Sequence, residues 1–194
     1  MNQSEEFTTL VLRFSDVQEP QRRIAVFEYV RDIAYGDIGS RNPLDVLQKR
    51  KGTCSGKHAL LKLLLESLDY EVQSWFAKHN FGDFPIQEWP EELQIFKGKQ
   101  ITDYHDFLKV KIGNQWVTID AIFDIPLKKL GFPVQSWDGE SDMKLPVRAE
   151  EIFKAEGDME EHKKKLIGAL PEEKQKERKA FLSTLTTWLD THRR

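Results

Sequence analysis

The chain has 194 residues, 39% of them hydrophobic and 31% charged, with a formal net charge of -3. That length and balance suit one globular unit with a buried core and exclude a disordered chain. The small net charge excludes a global pull toward nucleic acid or an acidic membrane, and the single cysteine excludes a disulfide framework or a cysteine-rich zinc site.

Met1-Asn2-Gln3-Ser4-Glu5-Glu6 lacks the basic and apolar regions of a signal peptide. No apolar run approaches a membrane span, because Leu60–Leu65 is interrupted by Lys62 and ends at Glu66. The expected setting is cytoplasmic and reducing, which would keep Cys54 a free thiol. Phe7–Leu12 is too short for periodicity to separate strand from helix. Ile24, Phe27, Val30 and Ala34 recur at helical spacing and predict a helix over Gln21–Tyr35, ended by Gly36 and Gly39. Asn42-Pro43 marks a turn, and Leu44–Leu47 predicts one short helical turn.

A second helix is predicted from Cys54 to Leu68, with Ala59, Leu60, Leu63 and Leu64 as its apolar face, followed by a strand over Tyr70–Phe76. Ala77–Asp103 is irregular, holding Gly82, Pro85, Pro90 and Gly98 among Phe81, Phe84, Trp89 and Phe96. So long a connection reads either as a lid or binding loop or as an insertion whose aromatics pack on the core. Tyr104–Ile112 and Gln115–Asp120 alternate around Gly113-Asn114, a strong hairpin signal. The chain is then loop-rich to Pro146. Helices are predicted over Arg148–Ala155 and Glu160–Leu170, and a last one starts at Pro171-Glu172-Glu173. Phe181, Leu182, Leu185, Trp188 and Leu189 form the apolar face of that last helix, and His192-Arg193-Arg194 sits at its negative end. This gives a single domain over 1–194, with a core at about 21–147 and a helical C-terminal extension at about 148–194. The runs Lys49-Arg50-Lys51 and Lys163-Lys164-Lys165 read as solvated helix faces rather than nucleic-acid contacts.

Lys51-Gly52-Thr53-Cys54-Ser55-Gly56-Lys57-His58 places the thiol at the mouth of a helix N-terminus. There, unpaired N–H groups and the dipole favour an anion, and a thiol in such a place ionises more readily. The hairpin supplies partners. With Gly113-Asn114 as a two-residue turn, Ile112 pairs with Gln115, Phe107 faces Asp120 and His105 faces Ile122. His105 and Asp120 are then diagonal neighbours on one face, while Leu108, Val110, Ile112, Val117, Ile119 and Ala121 collect on the other. A thiol, a histidine to take its proton and an aspartate to orient the ring make a nucleophilic triad. His58, one turn after Cys54, competes for the base role but has no evident orienting carboxylate. The backbone N–H of Cys54 is the first donor to a tetrahedral oxyanion.

The order and context of these residues resemble the transglutaminase-like superfamily, whose fold is similar to papain-like cysteine proteases. The resemblance runs from about Ile24 to Asp124. It rests on Tyr29–Tyr35, on Asp45–Cys54 leading to the nucleophile, and on Ala59–Val72 as helix and following strand. It continues through His105-Asp106-Phe107 as His-x-aromatic and Trp116–Asp120 as the tryptophan-containing strand. It departs at Phe107, where tryptophan is commoner, and at Ala121-Ile122, where Pro-Thr is usual. It implies an α+β fold with the cysteine helix packed on an antiparallel sheet. It also implies Cys54 as nucleophile, His105 as general base and acid, and Asp120 as orienter, with Gln48 standing where papain-like proteases carry an oxyanion glutamine. The implied activity is acyl transfer through a thioester, ending in hydrolysis or transamidation of a peptide or protein substrate, with no cofactor and no metal. The other reading is a catalytically inactive fold of this type, serving as a protein-binding or scaffold module.

Overall fold

A computed structural model describes residues 3–84, 86 and 88–193. Pro85 of the irregular stretch and Arg194 at the end of the last helix lie outside the described residues. The fold is α+β. Helix α1 (Gln3–Ser15) is followed by α2 (Gln21–Arg31), α3 (Pro43–Lys49) and α4 (Cys54–Glu66). A four-stranded antiparallel sheet has the order β5-β4-β3-β6, from β3 (Val72–Asn80), β4 (Thr102–Ile112), β5 (Gln115–Ile119) and β6 (Glu151–Lys154). Helices α5 (Met159–Gly168) and α6 (Glu172–His192) close the chain. A parallel pair, β1 (Ala34–Tyr35) and β2 (Lys51–Gly52), lies apart from the main sheet. None of the described helices is long and apolar enough to cross a membrane.

The hairpin register is the one its turn dictates. Ile112 pairs with Gln115 and Leu108 with Ile119, and Gly113 has φ +58°, the positive value a two-residue hairpin needs at its first turn position. The alternating apolar residues of β4 and β5 therefore face one way. Leu108, Val110, Val117 and Ile119 join Leu60, Leu61, Leu64 and Leu65 of α4 in one buried cluster. Each of those four leucines is fully buried, and burying a side chain of that size contributes roughly 1.5–3 kcal/mol. This packing lays α4 across the sheet and fixes where its first residue sits. Helix α1 takes the ambiguous Phe7–Leu12 into its span and buries Leu10 and Phe14, with Phe14 meeting Tyr29 of α2 edge-on at 5.7 Å.

Three expectations are corrected. The predicted helix over Arg148–Ala155 is strand β6, at the edge of the sheet. Glu151-Ile152-Phe153-Lys154 pairs with Lys78 through Trp75, because the open edge of β3 offers backbone partners that a four-residue segment cannot supply itself. The helix predicted to Tyr35 stops at Arg31, and Ala34-Tyr35 instead pairs with Lys51-Gly52, the approach to Cys54. In the irregular stretch, Ala77–Asn80 extends β3, and Phe81, Phe84 and Phe96 are buried in a second cluster with Phe181, Leu185 and Leu189 of α6. That stretch is closed at its base, where Gly98 N–H donates to Gly82 C=O at 2.9 Å. A side chain on Gly82 would lie 1.9 Å from the carbonyl oxygen of Lys99.

Candidate active site

Thr53 precedes α4 in an extended conformation, and its hydroxyl makes no capping hydrogen bond. The first intrahelical bond runs from Lys57 N–H to Thr53 C=O at 2.9 Å. The N–H groups of Cys54, Ser55 and Gly56 thus precede the helical ladder and stay available to an acceptor. Cys54 is 7% exposed and lies on a cavity of about 600 Å³. Its lining includes Ser40, Arg41 and Asn42, Lys163 and Lys164 of α5, and Arg178 of α6. A volume of that size admits a small ligand or a few residues of peptide.

His105 and Asp120 are both buried, with His105 Nε2 2.5 Å from Asp120 Oδ2. A carboxylate only accepts, so Nε2 carries a proton and Nδ1 is the nitrogen left to exchange one with the thiol. Burial disfavours a charge on His105. The Asp120 carboxylate, together with Cys54 as a further side-chain partner, more than offsets this and raises its pKa to about 10. For Asp120, burial pushes upward but His105 wins, and its pKa lies below the ordinary carboxylate value.

His58 is held differently. Ala121 N–H donates to its Nε2 at 3.1 Å, which makes Nε2 an acceptor and puts the proton on Nδ1. Nδ1 in turn donates to the carbonyl oxygen of Cys54 at 2.9 Å. Burial lowers its pKa to about 4. A carboxylate does lie near this ring, with Asp120 Oδ1 3.6 Å from Nε2, but both nitrogens are committed to backbone groups in a neutral ring, so His58 braces Cys54 and the loop after β5 and has no position left for the thiol proton. Lys57 braces the same loop. Its Nζ donates to the carbonyl oxygens of Arg31, Ile33 and Ile122 at 2.9, 2.7 and 2.6 Å. Burial lowers the Lys57 pKa to about 7.

Gln48 stands apart from the thiol. Val46 and Leu47 turn inward on α3, which leaves Gln48 exposed, with Oε1 accepting from Gln3 at 2.8 Å. The structure adds residues that the sequence did not single out. Asp106 Oδ2 lies 3.3 Å from Cys54 Sγ, and Lys163 lies buried beside both rather than on a solvated face. Arg178 Nε donates to Asp103 at 2.6 Å, with His79 3.8 Å from the same carboxyl group. Burial would raise the Asp103 pKa, but Arg178 and then Lys163 hold it well below the carboxylate range. Asp106 had one legible sign. It shares the parity of Leu108 and Val110, so alternation places a carboxylate on the face covered by α4. Lys163 had none beyond its place in a basic run. No cluster of three or more metal-binding side chains occurs among the described residues.

No family model and no curated protein matches this chain. Among solved structures it is similar to a putative cysteine protease from Cytophaga hutchinsonii. That likeness has 19% identity and a TM-score of 0.44, over 66% of this chain and 40% of the other. It is also similar to a TGase, at 15% identity and a TM-score of 0.44, over 66% of this chain and 35% of that one. The chain spans less than half the length of either.

Proposed function

We propose that the protein is a thiol-dependent acyl-transfer enzyme with Cys54 as nucleophile, His105 as general base and acid, and Asp120 as the group that orients His105. The observation that carries this reading is the buried His105–Asp120 contact at 2.5 Å beside a thiol at the start of α4. With Nε2–H held by Asp120, the raised basicity of His105 leaves the thiol proton on Nδ1, and the Cys54 thiolate attacks the carbonyl carbon of an amide or ester. The oxyanion of the tetrahedral intermediate falls to the free N–H groups at the head of α4. His105 then returns the proton to the leaving group, and a thioester remains on Cys54. Water or an amine resolves it, with His105 again accepting and donating the proton. The cavity of about 600 Å³ suits a short stretch of peptide or a small acyl group as donor.

The thiol itself provides the test. Iodoacetamide is expected to carboxamidomethylate Cys54 in the folded protein at neutral pH. His105→Ala is expected to slow labelling about 100-fold, in the range that general-base assistance supplies. Quantified by mass spectrometry, an inert Cys54, or a labelling rate indifferent to His105, sinks this reading. In that case a scaffold built on the same fold becomes the better account.

A further inference from the structure

Cys54 has a second set of neighbours that the acyl-transfer cycle does not use. Its Sγ lies 3.3 Å from Asp106 Oδ2. The same oxygen accepts from Ser55 Oγ at 2.5 Å and from Lys163 Nζ at 2.6 Å. Lys163 Nζ also donates to Ser55 Oγ at 3.0 Å and stands 3.6 Å from Sγ. Asp106 is fully buried and Lys163 is 8% exposed. The other carboxylate oxygen, Asp106 Oδ1, has no hydrogen-bond partner among the described residues.

This arrangement sets a problem for a nucleophile. Ionising Cys54 puts a second negative charge 3.3 Å from a buried carboxylate, where little solvent screens the repulsion. The remaining ionisable groups around the thiol do not meet the charge of Asp106. His105 takes the thiol proton and balances the charge on sulfur, which leaves that of the carboxylate, and Arg178 is paired with Asp103. His58 is held neutral between two backbone groups, and Tyr35 is a buried phenol whose pKa is raised by burial, so neither supplies a positive charge. Lys163 is the cation that touches both the carboxylate and the sulfur. It reaches them from α5, beyond the stretch over which the family resemblance runs.

We propose that Lys163 is a positioning residue for the nucleophile: its ammonium neutralises Asp106 and so allows Cys54 to ionise beside a carboxylate. This rests on the reading of Cys54 as the nucleophile and deepens it, because α5 becomes part of the thiol's machinery. Burial would lower the Lys163 pKa, but Asp106 and then Cys54 hold it above the ordinary lysine value, so the charge persists across neutral pH.

The test is the pH profile of iodoacetamide labelling at Cys54 in four proteins. Lys163→Met, which keeps an unbranched chain of similar length, is expected to move the profile up by about one pH unit, a roughly tenfold loss of rate at pH 7. Asp106→Asn, with the charge removed and the shape kept, is expected to move it down. The double variant should lie between the two. A residue that only anchored α5 would slow labelling on removal without giving shifts of opposite sign. Asp106→Asn keeps the proposal testable should Lys163→Met fail to fold. A Lys163→Met profile that overlays the parent, or an Asp106→Asn profile that does not move down, overturns the lysine's role. If the parent thiol reacts with full dependence on His105, that failure leaves the acyl-transfer reading intact. A parent thiol inert to the reagent takes both down together.

Discussion

Phe181→Ala is expected to lower stability by about 3–5 kcal/mol, the range for truncating a fully buried aromatic ring. Phe181 is 0% exposed and lies at the centre of the second core cluster. It stacks on Phe81 with ring centroids 4.3 Å apart and meets Phe96 at 5.4 Å and Phe84 at 5.8 Å. Those partners come from the segment after β3, so one ring joins α6 to the residues between β3 and β4. With Trp89 at 6.4 Å as the fourth, the aromatic side chains around this ring leave little freedom to collapse into the space vacated, which favours the upper part of the range. For a chain of this size the loss corresponds to a fall in melting temperature on the order of 10 °C. Denaturant titration should show a lower midpoint at unchanged slope. The consequence reaches the thiol, because Arg178 and Leu182 of the same helix line the cavity at Cys54. A bulky maleimide, more hindered than iodoacetamide at a thiol only 7% exposed, should gain on it as a labelling reagent in the variant. A loss under about 1 kcal/mol would show that α6 is not held by this cluster.

What the sequence revealed, and what it hid, follows from the range of each determinant. The contact between His105 and Asp120 was legible because a two-residue turn with glycine fixes register; the ladder itself ends at Leu108–Ile119, short of the expected Phe107–Asp120 pair, but its direction carries the two side chains together fifteen positions apart. The helix behind Cys54 was legible from its run of leucines. Strand β6 was not, because four residues carry no period and their state is set by the free edge of β3, more than seventy positions earlier. The contact of Lys163 with Asp106 spans 57 positions and depends on how α5 settles on the sheet, which local spacing does not encode. The same limit explains His58. One turn from the thiol on a helix, it is the nearer base by sequence, and only the amide of Ala121, 63 positions away, reveals it as an acceptor.

That commitment of His58 makes the protein acid-sensitive in a defined window. Acidification from pH 6.5 to about 4 is expected to remove on the order of 3 kcal/mol of stability, the value of lowering this imidazole from 6.5 to about 4 in the folded state. The sign follows from proton uptake. Below pH 6.5 the unfolded chain binds a proton that folded His58 refuses, so the unfolded state gains until pH reaches the folded value. His79, also lowered by burial, acts in the same direction. His105 does not contribute here: with its pKa raised, its stabilisation is complete below pH 6.5 and is lost only as pH climbs toward about 10. On the alkaline side Lys57, lowered to about 7, works against that loss, so the acid limb is the clean one to measure. His58→Gln replaces the ring with an amide that does not titrate. The variant should be less stable than the parent at pH 7, since it loses the edge-on contact with His105 at 5.9 Å, but its stability should vary less between pH 6.5 and 4.5. Parallel denaturation curves at the two pH values decide the matter, and equal acid losses in parent and variant would remove His58 as the cause. Labelling of Cys54 should fall in the same window in the parent. A protonated His58 no longer accepts from Ala121 N–H, and Ala121 adjoins the carboxylate that orients His105.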